Sequence, residues 1–329
     1  MTGQADGRRV WSKILTALRF VLVVAAVALG VAAIARDVAG FLEALAAIGA
    51  LRALGALALT LLGLRLSVEV WRITVRTVAG DLPREAANRV FFVSQLGKYL
   101  PGGVWTILAQ VERARVYELS QAHMGVAGLL FIGLNVVTGF LVAAVTLPWS
   151  SPELYTRYWW AAILVVPAAI ALLPPVLRFA VHLSLRVLRR PALETHLTGR
   201  DVAAACGWLV LVWSVYGGAT ALLTEPLTET SVVGGILLAA TGAWALAWVV
   251  GVVIIPAPAG LGPREVVLFL ALAPVVGAAG ATSIAVSLRV VHSVSDLLLA
   301  LGYGWPAGLF RRRQDRQAAS DDTSSDDGY

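Results

Sequence analysis

Seven apolar runs, at about 14–35, 51–71, 122–147, 158–177, 201–223, 232–255 and 282–308, are each long enough to cross the ~30 Å hydrocarbon core of a bilayer as a helix. No other property narrows the fold as much. A chain in lipid must satisfy its own backbone hydrogen bonds, and apolar segments of this length do so as helices. A shorter run, 264–280, is marginal for a full crossing, and counting it gives eight. Of the 329 residues 58% are hydrophobic and only 14% charged, too little charged surface for a soluble domain. The expected fold is all-α: a polytopic membrane protein of about eight transmembrane helices, with re-entrant or broken helices at 88–120 and 253–272. Two halves, about 14–177 and 201–308, are expected to form an internal repeat.

The arginines orient these spans. Arg8, Arg9 and Lys13 precede the first run; Arg72, Arg76, Arg84 and Arg89 follow the second. Arg178, Arg186, Arg189, Arg190 and Arg200 precede the fifth, and Arg311, Arg312, Arg313 and Arg316 follow the last. With eight spans all four groups fall on one face, which the positive-inside rule makes cytoplasmic, together with both termini. The opposite loops carry Glu153, Glu225 and Glu229, and the loop at 36–52 is mixed in charge. The net charge of +6 is therefore read as topology and headgroup contact, not as a nucleic-acid face. The first run is too long for a signal peptide and ends in a poor cleavage site, so it is expected as a retained helix. Residues 1–310 form the membrane domain; 311–329 form a basic, then disordered, cytoplasmic tail. Trp11, Trp71, Trp149, Trp159 and Trp305, near span ends, are expected in an interfacial aromatic belt. A single cysteine, Cys206, excludes an internal disulfide, and no metal or cofactor motif is present.

Two interruptions stand out. Near residue 98 the chain places one of its only two lysines beside Pro101, Gly102 and Gly103. Residues 88–99 and 104–118 can each form a helix too short to span, so together they suit a hairpin that enters and leaves on one side. The glycines let a headgroup approach the backbone, the amides of the second helix favour an anion, and Lys98 adds a point charge. Gln110, Glu112, Arg113 and Arg115 follow on the second helix. The alternative is an amphipathic helix lying on the membrane surface.

The second interruption holds Pro256, Pro258, Gly260, Gly262 and Pro263, which exclude a continuous helix. Pro263 suits a first helical turn, with Arg264 and Glu265 just behind it. Glu265 leads into an apolar run, where an ionisable group must pair or line a cavity. In the last span Arg289, His292 and Asp296 share one helical face with Ser293 nearby, either lining a polar interior or pairing with one another. On the second span Arg65, Glu69, Arg72 and Arg76 make a charged stripe, with structural pairing favoured over ligand contact. Interhelical hydrogen bonds account for Asn135, Thr138, Ser214 and Tyr216.

The stretches Gly-Lys-Tyr-Leu-Pro-Gly-Gly-Val-Trp at 97–105 and Pro-Ala-Pro-Ala-Gly-Leu-Gly-Pro-Arg-Glu at 256–265 resemble the lysylphosphatidylglycerol synthetase transmembrane-region family, also called flippase-like membrane proteins. The resemblance covers nearly the whole chain, with both motifs in the expected order. In the best-known members this membrane region is implicated in moving aminoacylated phospholipids between leaflets, and stand-alone members are linked to polyprenyl- or glycolipid pathways; the resemblance therefore implies a lipid-handling membrane domain without the cytosolic aminoacyl-transferase domain. It also implies roles for Lys98, Pro101 and Gly102, and for Gly260, Gly262, Arg264 and Glu265.

The expected function is binding and transbilayer movement of an anionic phospholipid or polyprenyl-linked lipid in a bacterial-type inner membrane. Substrate contacts are expected from Lys98, Pro101, Gly102, Gly103, Gln110, Glu112, Arg113, Gly260, Gly262, Arg264, Glu265, Arg289, Asp296 and Glu69. No cofactor and no catalysis are expected. The alternatives are a membrane-embedded glycosyl or lipid transferase and a non-transporting partner of a glycosyltransferase or synthase. No P-loop is present, so any driving force is a gradient, the membrane potential or lipid mass action.

Overall fold

A computed structural model describes residues 38–100, 104–150, 156, 159, 161–188, 197–228, 233–254 and 260–304. Among these residues every regular element is helical: α1 Val38–Val78, α2 Arg84–Gln95, α3 Trp105–Ala114, α4 Gln121–Ser150, α5 Ala161–Ala171, α6 Pro174–Val187, α7 Gly199–Thr224, α8 Val233–Val253 and α9 Pro263–Gly304. Five of them, α1, α4, α7, α8 and α9, are long and apolar enough to cross a membrane; α5 and α6 make a sixth crossing if their bent pair is taken as one span. The run at 14–35 and the tail from 305 lie outside the described residues.

Helices α1 and α7 form the framework. Arg52 meets Glu225 at 3.0 Å and Arg76 meets Asp201 at 2.8 Å. Arg52 and Arg76 are as far apart in sequence as Asp201 and Glu225, so the helices run antiparallel in one register. About 36 Å of helix separates the two pairs, slightly more than the hydrocarbon thickness of a bilayer. Asp201 also completes a capping box with Thr198, whose hydroxyl accepts from the Asp201 amide, which fixes where α7 starts. Between the pairs the helices approach closely: a Cβ on Gly63 would lie 2.5 Å from the Tyr216 ring. Close approach through small residues is the usual means of packing helices in lipid. Outward, Leu51, Leu54, Leu62, Ile163, Val166, Phe179, Leu270 and Leu301 are exposed, the surface expected of helices facing acyl chains.

Helix α9 is not one straight rod. Gly277 has φ 72° and ψ 172°, outside the helical region. Glu265 and Arg289 stand equally far on either side of it and form an ion pair at 3.1 Å. In a continuous helix residues so placed would be about 36 Å apart. The arms therefore fold back on one another, and the expected run 264–280 and the described part of the run 282–308, up to Gly304, belong to one helical hairpin. The first arm, 263–276, is only about 21 Å long, short of a full crossing. Gly49 breaks α1 with nearly the same backbone angles, φ 68° and ψ 162°.

Several expectations need correction. The segment 36–52, read as a loop, is helical from Val38 on either side of Gly49. The run at 158–177 is interrupted: α5 and α6 meet at a 63° bend before Pro174, whose ring cannot continue the preceding helix. Trp71 is no interfacial anchor, being fully buried and hydrogen-bonded inside the bundle, whereas Trp149 and Trp159 are exposed. The long helix with the glycine break precedes the interruption in the first half and follows it in the second.

Candidate functional site

The first interruption is a helical hairpin packed into the bundle. Pro83 stands at the start of α2 and Glu85 in its first turn, so the helix begins at Arg84, a turn earlier than expected. After α2 a 3-10 turn at Leu96–Tyr99 carries the chain toward α3. Gly97 permits the fold-back: a Cβ there would lie 2.7 Å from the Thr106 amide nitrogen and the Trp105 carbonyl carbon. Gln110 then ties the hairpin together, its Nε2 donating to Ser94 Oγ at 3.2 Å and its Oε1 accepting from Trp71 Nε1 at 3.1 Å. Phe92 stacks on Tyr303 with ring centroids 4.8 Å apart. These interior contacts disfavour the surface-helix alternative and give Gln110 a bracing role.

At the tip of this hairpin Lys98 Nζ lies 2.7 Å from Asp296 Oδ2, and the Tyr99 hydroxyl donates to the same oxygen at 2.6 Å. Asp296 is 2% exposed, whereas the Lys98 side chain is 28% exposed. Burial, reinforced by the Asp296 carboxylate, raises the Tyr99 phenol, so it remains a donor. Asp296 Oδ1 finds no partner among the described residues.

The second interruption closes on its own helix start. Gly260 and Gly262 have φ of 70° and 97°, a region that side chains disfavour. A Cβ on Gly260 would lie 3.1 Å from the Gly251 Cα, so the chain folds tightly against the last turns of α8. Glu265 Oε2 accepts from the Gly262 amide at 2.6 Å, and Oε1 accepts from Arg289 at 3.1 Å. Glu265 thus both caps the helix and forms an ion pair.

The second arm of α9 connects the two interruptions. Arg289 reaches Glu265 of one and Asp296 reaches Lys98 of the other, only about two helical turns apart along that arm. The alternative in which Arg289 and Asp296 merely neutralise each other gives way to this bridge. Between them, the Arg264 guanidinium carbon lies 3.9 Å from the centroid of Trp244, and the His292 ring stacks on Trp244 at 4.2 Å. Two groups that close to one ring centre cannot share a face, so the indole is sandwiched between them. Tyr216 packs against His292 at a tilt, with ring centroids 5.4 Å apart. It lies on α7 well inside the two framework ion pairs, so the cluster extends from the hairpin toward the middle of the bundle.

Arg264 makes no ion pair among the described residues. The carboxylates that act on it, Glu265 and Asp296, are already held by Arg289 and Lys98. The cluster therefore contains three cations, Lys98, Arg264 and Arg289, and two carboxylates. Arg264 Nε, Trp244 Nε1 and His292 Nε2 are closed off from solvent without a described partner.

Other expected site residues are elsewhere. Glu112 and Arg113 are exposed on α3. Glu69 bonds Arg65 at 3.5 Å and Arg72 at 2.8 Å within α1, as favoured for that stripe. Pro101, Gly102 and Gly103, like Pro256 and Pro258, fall outside the described residues. Thr138 accepts from Trp213 across helices at 3.2 Å, whereas Asn135 and Ser214 bond within their own helices. Sequence reasoning missed Trp244 and Tyr99. The available signals were an aromatic deep within an apolar run and a phenol adjoining the lysine. The chain matches no protein-family model and no curated protein.

Proposed function

We propose that this chain is an integral membrane protein that binds an anionic lipid headgroup between its two interruptions and moves it across the bilayer. The observation that carries this reading is Arg264, a half-buried guanidinium whose Nε is closed off from solvent and whose neighbouring carboxylates are committed to other cations. An uncompensated charge in such a setting is strongly unfavourable, and an anion would relieve it. The planar guanidinium suits phosphate oxygens, and its stacking on Trp244 holds it in place. Lys98 and Arg289, each partly exposed, widen the positive region toward the headgroup.

The ligand is a phospholipid or polyprenyl-linked lipid rather than a soluble anion, because apolar helix faces surround the cluster and lipid tails can remain alongside them. The resemblance at 97–105 and 256–265 supports the same reading, since those two stretches supply Lys98, Arg264 and Glu265. Eight membrane segments are counted in this reading: the run at 14–35, the five long helices, the bent α5–α6 pair and the short arm of α9, which is a partial span. Both termini then face the cytoplasm of a bacterial-type inner membrane by the positive-inside rule.

The test is transbilayer movement of a fluorescent phosphatidylglycerol in liposomes containing the full chain. The wild type should exceed protein-free liposomes, and Arg264→Gln should lower the protein-dependent rate about tenfold or more, the loss expected for a buried charge-assisted contact. Equal rates for wild type and variant at equal incorporation would overturn the assignment of Arg264.

A further inference from the structure

We infer that the headgroup taken by this site carries hydroxyl groups beside its phosphate, as a glycerol, inositol or sugar substituent does, and carries no ammonium. This rests on the anion-site reading above and sharpens its substrate class. Four polar atoms of the cluster lack partners among the described residues: Arg264 Nε, Trp244 Nε1, His292 Nε2 and Asp296 Oδ1. Trp244, His292 and Asp296 are 1%, 8% and 2% exposed, so bulk water does not reach them freely.

The chemistry of the four is mixed. Arg264 Nε and Trp244 Nε1 can only donate. Asp296 Oδ1, as part of an ionised carboxylate, can only accept. His292 Nδ1 lies 3.0 Å from the Leu288 carbonyl, which can only accept, so Nδ1 carries the hydrogen. In the neutral ring Nε2 is then an acceptor.

Each ligand class meets this set differently. A bare phosphate offers acceptors alone and leaves His292 and Asp296 unsatisfied. An ammonium beside the phosphate would donate to His292 and Asp296, but it cancels the phosphate charge and leaves the surplus cation of the cluster uncompensated. A hydroxyl donates and accepts at once. A phosphate bearing hydroxyls therefore matches all four atoms while supplying the negative charge that Arg264 lacks. Sites built to bond hydroxyls discriminate sharply against analogues without them, because their own polar groups are left unpaired.

The test measures lipid binding to the purified full chain by native mass spectrometry. Phosphatidylglycerol, phosphatidylinositol and a polyprenyl-phosphate sugar are compared with phosphatidylmethanol, an equally charged phosphodiester without hydroxyls, and with phosphatidylethanolamine. At least one hydroxylated lipid should bind about tenfold more tightly than phosphatidylmethanol, and phosphatidylethanolamine should bind more weakly than that lipid. The best of the three distinguishes a glycerol or inositol lipid from a sugar-bearing source. Trp244→Phe and His292→Phe keep the aromatic stack and remove one polar atom each. His292→Phe, which removes an acceptor that a phosphate cannot use, should lower binding of the hydroxylated lipids more than binding of phosphatidylmethanol, whereas Trp244→Phe, which removes a donor to phosphate, should weaken both. Equal binding of phosphatidylglycerol, phosphatidylinositol, the sugar lipid and phosphatidylmethanol would overturn the inference, as would tightest binding of phosphatidylethanolamine. In either case, loss of binding in Arg264→Gln would leave the anion-site reading standing; binding unchanged in that variant would remove the reading itself.

Discussion

The ion pair between Lys98 and Asp296 is the contact on which the first interruption depends, because its carboxylate is buried and its cation comes from a distant part of the chain. Lys98→Met leaves Asp296 buried without its countercharge and should destabilise the protein by about 3 kcal/mol. The double variant Lys98→Met with Asp296→Asn should recover part of that loss, because it removes both charges. Unfolding midpoints in detergent measure this cycle, and an unchanged midpoint for Lys98→Met would contradict the pairing. The sequence made Lys98, Glu265, Arg289 and Asp296 individually conspicuous, each being an ionisable residue in or beside an apolar run. It could not pair them. Helical spacing informs about neighbours three and four residues away, whereas these partners come from different elements. The same limit explains Gln110. Its polarity on a short helix suggested ligand contact, yet Ser94 and Trp71 use both ends of its amide.

Among the elements, the hairpin of α2 and α3 depends on a backbone contact that tolerates no side chain. Gly97→Ala would place a methyl group 2.7 Å from backbone atoms of residues 105 and 106. The helices must then separate, at about 1–3 kcal/mol, and Lys98 must shift away from Asp296. Limited proteolysis between α2 and α3 should become faster, and lipid binding weaker, in this variant; wild-type behaviour in both would show that the tip can relax without consequence. Both interruptions were legible because proline and glycine cannot continue a helix in apolar surroundings. The turns at Gly49 and Gly277 were not, since each is a single glycine within a segment that otherwise favours helix. Only the ion pair across Gly277 shows that one of these turns is a reversal.

At the scale of the molecule, about 36 Å of helix separates the Arg52–Glu225 and Arg76–Asp201 pairs, so the proposed crossing puts them on opposite sides. In a Cys206→Ala background, cysteines at Glu225 and Arg76 should react with an impermeant thiol reagent from opposite sides of the membrane. Reaction from one side would contradict the crossing. The helical class and the long apolar segments were legible from hydropathy alone. The way α9 joins both interruptions was not, because it arises from packing between distant segments. The central claim is that an anionic headgroup occupies the space left by the unmatched charge of Arg264. The most direct measurement is an experimental density map of the full chain in a lipid nanodisc. Phosphate density is expected within hydrogen-bonding distance of the Arg264 guanidinium, between Lys98 and Arg289. Arg264 paired with a protein carboxylate, with no lipid phosphate beside it, would overturn that claim.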